Sequence, residues 1–181
     1  MKKVLIPLAH GFEAIEATTV IGILRRVRID VTLAAENVGP VEGTDKVSIP
    51  ADVTLDEVRA ADYDMLVIVG GDGARRLADD ARVRRITVEM NAKGAFLAAI
   101  CRGPVVLSAA GVLDGKRVTS SPSTREELAN VTYVEDRVVV DGRVITSRLP
   151  GTALEFALEL VKVLCSEKHA GYVANAVAAR T

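Results

Sequence analysis

The sequence predicts an α/β sandwich, a mostly parallel sheet covered by helices on both faces. Two observations carry this. Short aliphatic runs at residues 4–9, 29–35, 65–69 and 95–100 recur along the chain, and helix-period segments alternate with them. A parallel strand buried on both faces reads as a continuous apolar run, and its return to the sheet needs a helical crossover. The length of 181 residues corresponds to about one domain, so residues 1–181 are expected to form a single unit.

The first run, residues 4–9, ends at Gly11, after which Ile15, Val20, Ile23, Leu24 and Val27 recur at helical spacing. With the strand at 29–35 this makes a right-handed βαβ unit. Pro7 lacks an N–H and belongs at the end of its strand, or where no partner needs a donor. Gly39-Pro40 and Gly43 mark turns around a short strand at 46–49, and Thr54-x-x-Glu57 reads as a capping box that opens a short helix. The strand at 65–69 runs into Gly70-Gly71-Asp72-Gly73, and a helix follows over 81–91 with Val83, Ile86 and Met90 inward. Residues 95–100 form a strand that ends at Cys101, and 105–110 a buried helix stopped by Gly111. A short strand begins at Val118, and Ser123-x-x-Glu126 resembles a helix cap. Residues 131–134 and 137–146 read as strands, with a hairpin signal at Asp141-Gly142. Pro150-Gly151-Thr152-x-x-Glu155 caps a helix bearing Leu154, Leu158, Val161 and Leu164 on one face, and a last helix covers 167–178.

Composition excludes several functions. Lys plus Arg number 23 against 24 Asp plus Glu, and aromatics make up 3% without Trp. Neither a field for phosphate backbones nor a base-stacking platform is expected, so nucleic acid is not an expected partner. His10, Glu13 and Glu16 interrupt the apolar start, and no run of about 18 uncharged apolar residues exists, so neither a signal peptide nor a membrane span is expected. Two cysteines, Cys101 and Cys165, form no disulfide framework and read as reduced thiols of a cytoplasmic protein. Two isolated His and two distant Cys lack metal-ligand spacing, so no metal is expected.

In an open α/β sheet the ligand crevice lies beyond the carboxyl ends of the strands. The turns His10-Gly11-Phe12-Glu13, Gly70-Gly71-Asp72-Gly73 and Cys101-Arg102-Gly103-Pro104 all fall there. The glycines of the second turn either permit a tight βα turn or offer N–H groups to an oxyanion. Cys101, between a buried strand and a helix start, is either an inert small core residue or a thiol activated by the helix dipole, the geometry of a nucleophile elbow. Of the two His, His169 reads as a surface residue, and His10 follows the first strand toward the crevice. Glu13 and Glu16 complement the first helix's dipole. Glu16 also shares a stripe with Phe12, Ile23 and Val27, and a buried carboxyl there has a raised pKa and can shuttle a proton.

Taken together, Ala98-Ala99-Ile100-Cys101-x-Gly103-Pro104, the upstream Gly70-Gly71 and Gly11-x-Glu13-x-x-Glu16 resemble the ThiJ/PfpI superfamily. Thr146-Ser147-Arg148-x-Pro150-Gly151-Thr152 resembles the branch that holds the parkinsonism-associated deglycase and its bacterial chaperone-like relatives. The resemblance implies a flavodoxin-like three-layer sandwich, a homodimer, and Cys101 as nucleophile on a strained elbow. It implies Glu16 hydrogen-bonded to the thiol and oxyanion or substrate contacts from Gly70, Gly71, Arg102 and Gly103. Pro150 would stand nearby, and His10 and Ser121 would be auxiliary residues. The implied activity is a cofactor-free glyoxalase or deglycase acting on a small reactive carbonyl compound. A cysteine-based redox sensor or chaperone is the other role, and some branches are peptidases. Peptidase members carry His directly after the nucleophile, where this chain has Arg102, which stays protonated and is no base. Ser121 likewise stands where several deglycase-like relatives have a His.

Overall fold

The structure is a computed structural model that describes residues 1–179. Its strands are β1 (Lys3–Pro7), β2 (Asp30–Ala35), β3 (Gly39–Glu42), β4 (Ser48–Ala51), β5 (Val53–Thr54), β6 (Met65–Ile68), β7 (Phe96–Ile100), β8 (Arg117–Val118), β9 (Thr132–Tyr133), β10 (Val138–Asp141) and β11 (Val144–Ser147). The helices are α1 (Ala14–Arg26), α2 (Gly73–Asp79), α3 (Ala81–Ala92), α4 (Pro104–Ala109), α5 (Ala153–Leu164) and α6 (Glu167–Ala176).

Seven strands make one sheet in the order β10-β11-β7-β6-β1-β2-β5, parallel except for β10 at the edge. The fold is the mostly parallel α/β sandwich that the alternating runs predict, in the flavodoxin-like form that the resemblance implies. β6 is buried along its whole length because helices cover both faces of the sheet, which is why it reads as unbroken aliphatic sequence. On one face α1, α5 and α6 enclose Val20, Leu24, Phe156 and Leu160; on the other α2, α3 and α4 enclose Leu77, Ile86, Met90 and Leu107. Pro7 closes β1 opposite Ala34, and pairing with β6 stops at Leu5, so the missing N–H costs no ladder bond on that side. The Asp141-Gly142 signal is the β10–β11 turn, with Gly142 at φ 62°.

Four expectations need correction. Thr54 and Glu57 do meet, Glu57 Oε2 accepting from both the N–H and the hydroxyl of Thr54 at 2.8 Å, but no α-helix follows. Leu55 and Val58 both dive into the core, and a segment this short gains too few helical bonds to repay nucleation, so only a 3₁₀ turn forms at Ala60–Asp62. Ser123 lies inside the 3₁₀ stretch Pro122–Glu127 rather than capping a helix, because Pro122 is suited to a first helical position and starts the turn one residue earlier. On α5 the buried stripe is Phe156, Ala157, Leu160, Val161 and Leu164, with Leu154 and Leu158 at its margins; the bulkiest side chain, Phe156, takes the core and rotates the helix accordingly. Helix α2 occupies residues where the sequence shows only a glycine turn.

Candidate active site

Three βα turns at the carboxyl ends of β1, β6 and β7 meet at one point. The first two are laced together: Glu13 N–H donates to the Gly70 carbonyl at 3.0 Å, and Gly73 N–H donates to the Gly11 carbonyl at 3.0 Å. Glu13 also caps α1 by accepting from Ile15 N–H at 3.2 Å, the dipole role expected of it.

Glu16 departs from that role. One turn into α1 it points inward and is fully buried, and its Oε2 accepts a 2.6 Å hydrogen bond from Gly70 N–H. Oε1 accepts no hydrogen bond of good geometry, and the Cys101 thiol is the polar side chain beside the carboxyl. Burial pushes the carboxyl up to about 8; the Gly70 N–H and the thiol oppose the rise without cancelling it, and the charge of Glu13 adds to it. Glu16 is therefore a neutral acid at pH 7.

Cys101 directly follows β7 with a left-handed φ of 61°, a conformation costly for a residue with a Cβ and held here from both sides. Its N–H donates to the Ser147 carbonyl on β11 at 2.9 Å, and its carbonyl accepts from Ser121 N–H at 2.8 Å. The sequence leaves Cys101 either an inert core residue or a thiol lowered by a helix dipole, and in the structure the dipole does not prevail. Burial, then the Glu16 carboxylate charge, pushes the thiol up to about 12, against a hydrogen bond from the Arg102 N–H and the Arg102 charge. The helix meant to lower it is the six-residue α4, which begins at Pro104, three residues beyond the sulfur-bearing position. When Glu16 is protonated, the charge opposing the thiolate disappears and a proton donor takes its place, so the two groups titrate as a coupled pair.

Gly70 makes this convergence possible. A methyl group there would lie 2.8 Å from Cβ of Cys101, 2.9 Å from Oε2 of Glu16 and 3.0 Å from the Arg102 nitrogen, so only a residue without a side chain lets the three groups close around it. Among the described residues, neither Gly71 N–H nor Arg102 N–H donates to a backbone carbonyl. Gly103 begins α4 and donates its N–H to the Ile100 carbonyl at 2.8 Å, tightening the elbow. The Arg102 guanidinium turns to Asp72 of the neighbouring turn and forms an ion pair with it, a partner that the sequence pattern does not single out. Asp72 is largely exposed, so this pair orients Arg102 more than it stabilises the fold.

The remaining expected residues fall at different distances from the sulfur. Ser121 holds the Cys101 carbonyl through its backbone while its hydroxyl pairs with Ser123 at 2.9 Å. Pro150 opens the turn Pro150–Thr152, which is tied to β11 by a 2.6 Å bond between the Ser147 and Thr152 hydroxyls, one step removed from the thiol. His10 turns away to the β3–β4 hairpin, where its Nδ1 accepts from Glu42 N–H at 3.1 Å. The cavity that His10 lines includes neither Cys101 nor Glu16. The missed contributors, Ser147 and Asp72, both sit in segments whose motif was visible. Their roles depend on which strands and turns become neighbours.

The raised Glu16 pKa has a thermodynamic consequence. Below pH about 4.5 the carboxyl is protonated folded or unfolded; as pH rises from there to about 8 the unfolded chain releases this proton and the folded one keeps it. Stability is thus highest on the acid side of this window and falls across it, by on the order of 5 kcal/mol for this group. The shifted acids Glu57, Asp64, Asp80, Asp141 and Glu155 move the opposite way, below their ordinary range, and act at lower pH. Urea unfolding at pH 5.5 and 8 should show the loss, and Glu16→Gln should flatten it; a wild-type slope unchanged in that variant would place the proton elsewhere.

An open parallel sheet that presents a buried thiol on a left-handed elbow, backed by a neutral carboxylic acid, defines a cysteine-centred α/β protein. The chain belongs to the DJ-1/PfpI family, whose model matches residues 2–163. It is 39% identical over 163 residues to Protein DJ-1 homolog A of Arabidopsis thaliana, covering 88% of this chain and 42% of that protein, so it spans under half of that relative's length. To the protein named Deglycase PH1704 of Pyrococcus horikoshii it is 34% identical, covering 90% of this chain and 99% of that one. The crystal structure of Drosophila melanogaster DJ-1beta superposes with a TM-score of 0.94 at 37% identity, covering 99% of each chain. No helix among the described residues is long and apolar enough to cross a membrane.

Proposed function

We propose that the protein is a cofactor-free glyoxalase of the deglycase type that converts small α-oxoaldehydes such as methylglyoxal to hydroxy acids, working as a cytoplasmic homodimer. The observation that carries this reading is the neutral, buried Glu16 carboxyl beside Cys101. Loss of the thiol proton to solvent, while Glu16 keeps its own, leaves a thiolate next to an acid, the arrangement that aldehyde addition requires.

The sulfur adds to the aldehyde carbon, the C=O π pair moves to oxygen, and Glu16 protonates that oxygen to give a hemithioacetal. Glu16, now a carboxylate, removes the proton from the former aldehyde carbon and returns it to the adjacent carbon. A hydroxyl proton moves to the second oxygen, and the product is a lactoyl thioester. The elements of methylglyoxal are rearranged with no external oxidant, one carbon being oxidised and its neighbour reduced. Water then attacks the thioester, the carbon–sulfur bond breaks, and lactate leaves with one proton while the thiolate and Glu16 acid are restored. The N–H groups of Gly71 and Arg102 are the donors suited to the developing oxyanion, with Gly70 and Gly103 shaping the turns that carry them. Deglycase naming of an archaeal relative supports an enzymatic role at this site.

The test is lactate formation from methylglyoxal by reduced protein in a buffer free of amines and thiols. Multiple turnovers that vanish in Cys101→Ser are expected. A stoichiometric Cys101 adduct without released lactate would overturn the glyoxalase reading and favour a thiol sensor.

A further inference from the structure

A cavity opens at the carboxyl ends of β1 and β2, with a volume of about 260 Å³. Its lining includes His10 but not Cys101, Glu16 or Gly70, so it is separate from the thiol centre. The size falls just under the roughly 300 Å³ at which pockets for drug-sized ligands begin, which suits a smaller metabolite.

The floor is apolar: Leu8, Val41, Leu55 and Leu77 line it and are all buried. The rim is charged and holds two carboxylates, Glu36 and Asp80, and two guanidiniums, Arg76 and Arg82. Asp80 and Arg82 bind each other at 2.6 Å, and Arg82 reaches Asp56 as well. Glu36 and Arg76 differ. Among the described residues neither is engaged in an ion pair or a side-chain hydrogen bond, though both face the same small space. His10 also lines the cavity, its Nδ1 accepting from Glu42 N–H.

We propose that this cavity binds a free aliphatic α-amino acid as its zwitterion, with the carboxylate on Arg76, the ammonium on Glu36 and the side chain on the apolar floor. The four rim charges cancel, and a zwitterion meets both unengaged groups at once, whereas a ligand carrying one charge alone meets only one of them. A carboxylate meets the guanidinium as a planar fork, and a branched hydrocarbon side chain removes the floor from water. The site does not depend on the thiol chemistry.

L-Leucine is the probe, titrated calorimetrically into the reduced full chain beside isovalerate and 3-methylbutylamine, which each keep one of its charges. Saturable leucine binding is expected, with both analogues and both variants Arg76→Gln and Glu36→Gln weaker by at least about tenfold, since charge-assisted hydrogen bonds are lost. Arg76 and Glu36 are exposed, so neither change threatens the fold. Cys101→Ser should bind leucine unchanged. The proposal is overturned by no saturable heat with leucine, by isovalerate binding as tightly as leucine, by indifference to both variants, or by leucine protecting Cys101 from alkylation.

Discussion

Glu16→Gln should lower turnover of methylglyoxal by about 10²- to 10⁴-fold, the span typical of losing a general acid–base group, while the protein stays folded. The amide retains a carbonyl oxygen to accept the 2.6 Å hydrogen bond of Gly70 N–H, and it removes the buried ionisable group altogether. What it lacks is a proton to give and take. The hemithioacetal would then form at best slowly, and the carbon-to-carbon proton transfer would have no base. The same substitution removes the carboxylate whose charge helps push the Cys101 thiol up to about 12, so alkylation of Cys101 followed against pH gives a second, independent readout. The thiol's titration should move and lose its coupling to a group near pH 8. Turnover within about threefold of wild type would show that the proton travels by another route.

Gly71→Ala should destabilise the protein by roughly 3–5 kcal/mol, enough to leave much of it unfolded. Gly71 has φ 83°, and a Cβ there would collide with the Gly11 carbonyl and stand 2.6 Å from Glu13 nitrogen and 2.7 Å from the Phe12 carbonyl carbon. Those are backbone atoms, held in place by the bonds between Glu13 and Gly70 and between Gly73 and Gly11, so nothing flexible can yield. Separating the turns would also pull Glu16 away from Cys101, linking the stability loss to the site. Gly22→Ala is the contrasting variant. It lies in α1 on an exposed face with nothing within 4 Å of a new methyl group, and it should be neutral or stabilising by up to about 1 kcal/mol. Urea midpoints for the two variants decide the matter, and a Gly71→Ala protein within about 1 kcal/mol of wild type would contradict the packing described.

The elements whose character is local were readable from the chain. The strand ending at Cys101 shows as an aliphatic run, and Gly103-Pro104 marks the helix that follows, because Pro suits a first helical turn and glycine permits the tight approach before it. The inward turn of Glu16 was half readable: it falls on the stripe of Phe12, Ile23 and Val27, yet a carboxylate in a first helical turn is also what a solvent-facing dipole complement looks like. The Thr54-x-x-Glu57 motif shows the limit from the other side, since its hydrogen bonds form and its helix does not. Helix α2 was hidden behind the glycines that open it, and His10 follows the same strand as the site but turns to the hairpin.

The sequence by itself determined the class of fold, the three turns at the carboxyl ends of the strands, and the thiol on the elbow, since each follows from spacing within a dozen residues or so. Tertiary structure alone decided the chemistry of that thiol. Its ionisation depends on burial and on a carboxyl group from α1, 85 positions earlier in the numbering, and its strained backbone on Ser147 and Ser121 from later strands and turns. Desolvation and charge act through space, and which groups share a space is settled only when the sheet and its two helical layers have closed around them.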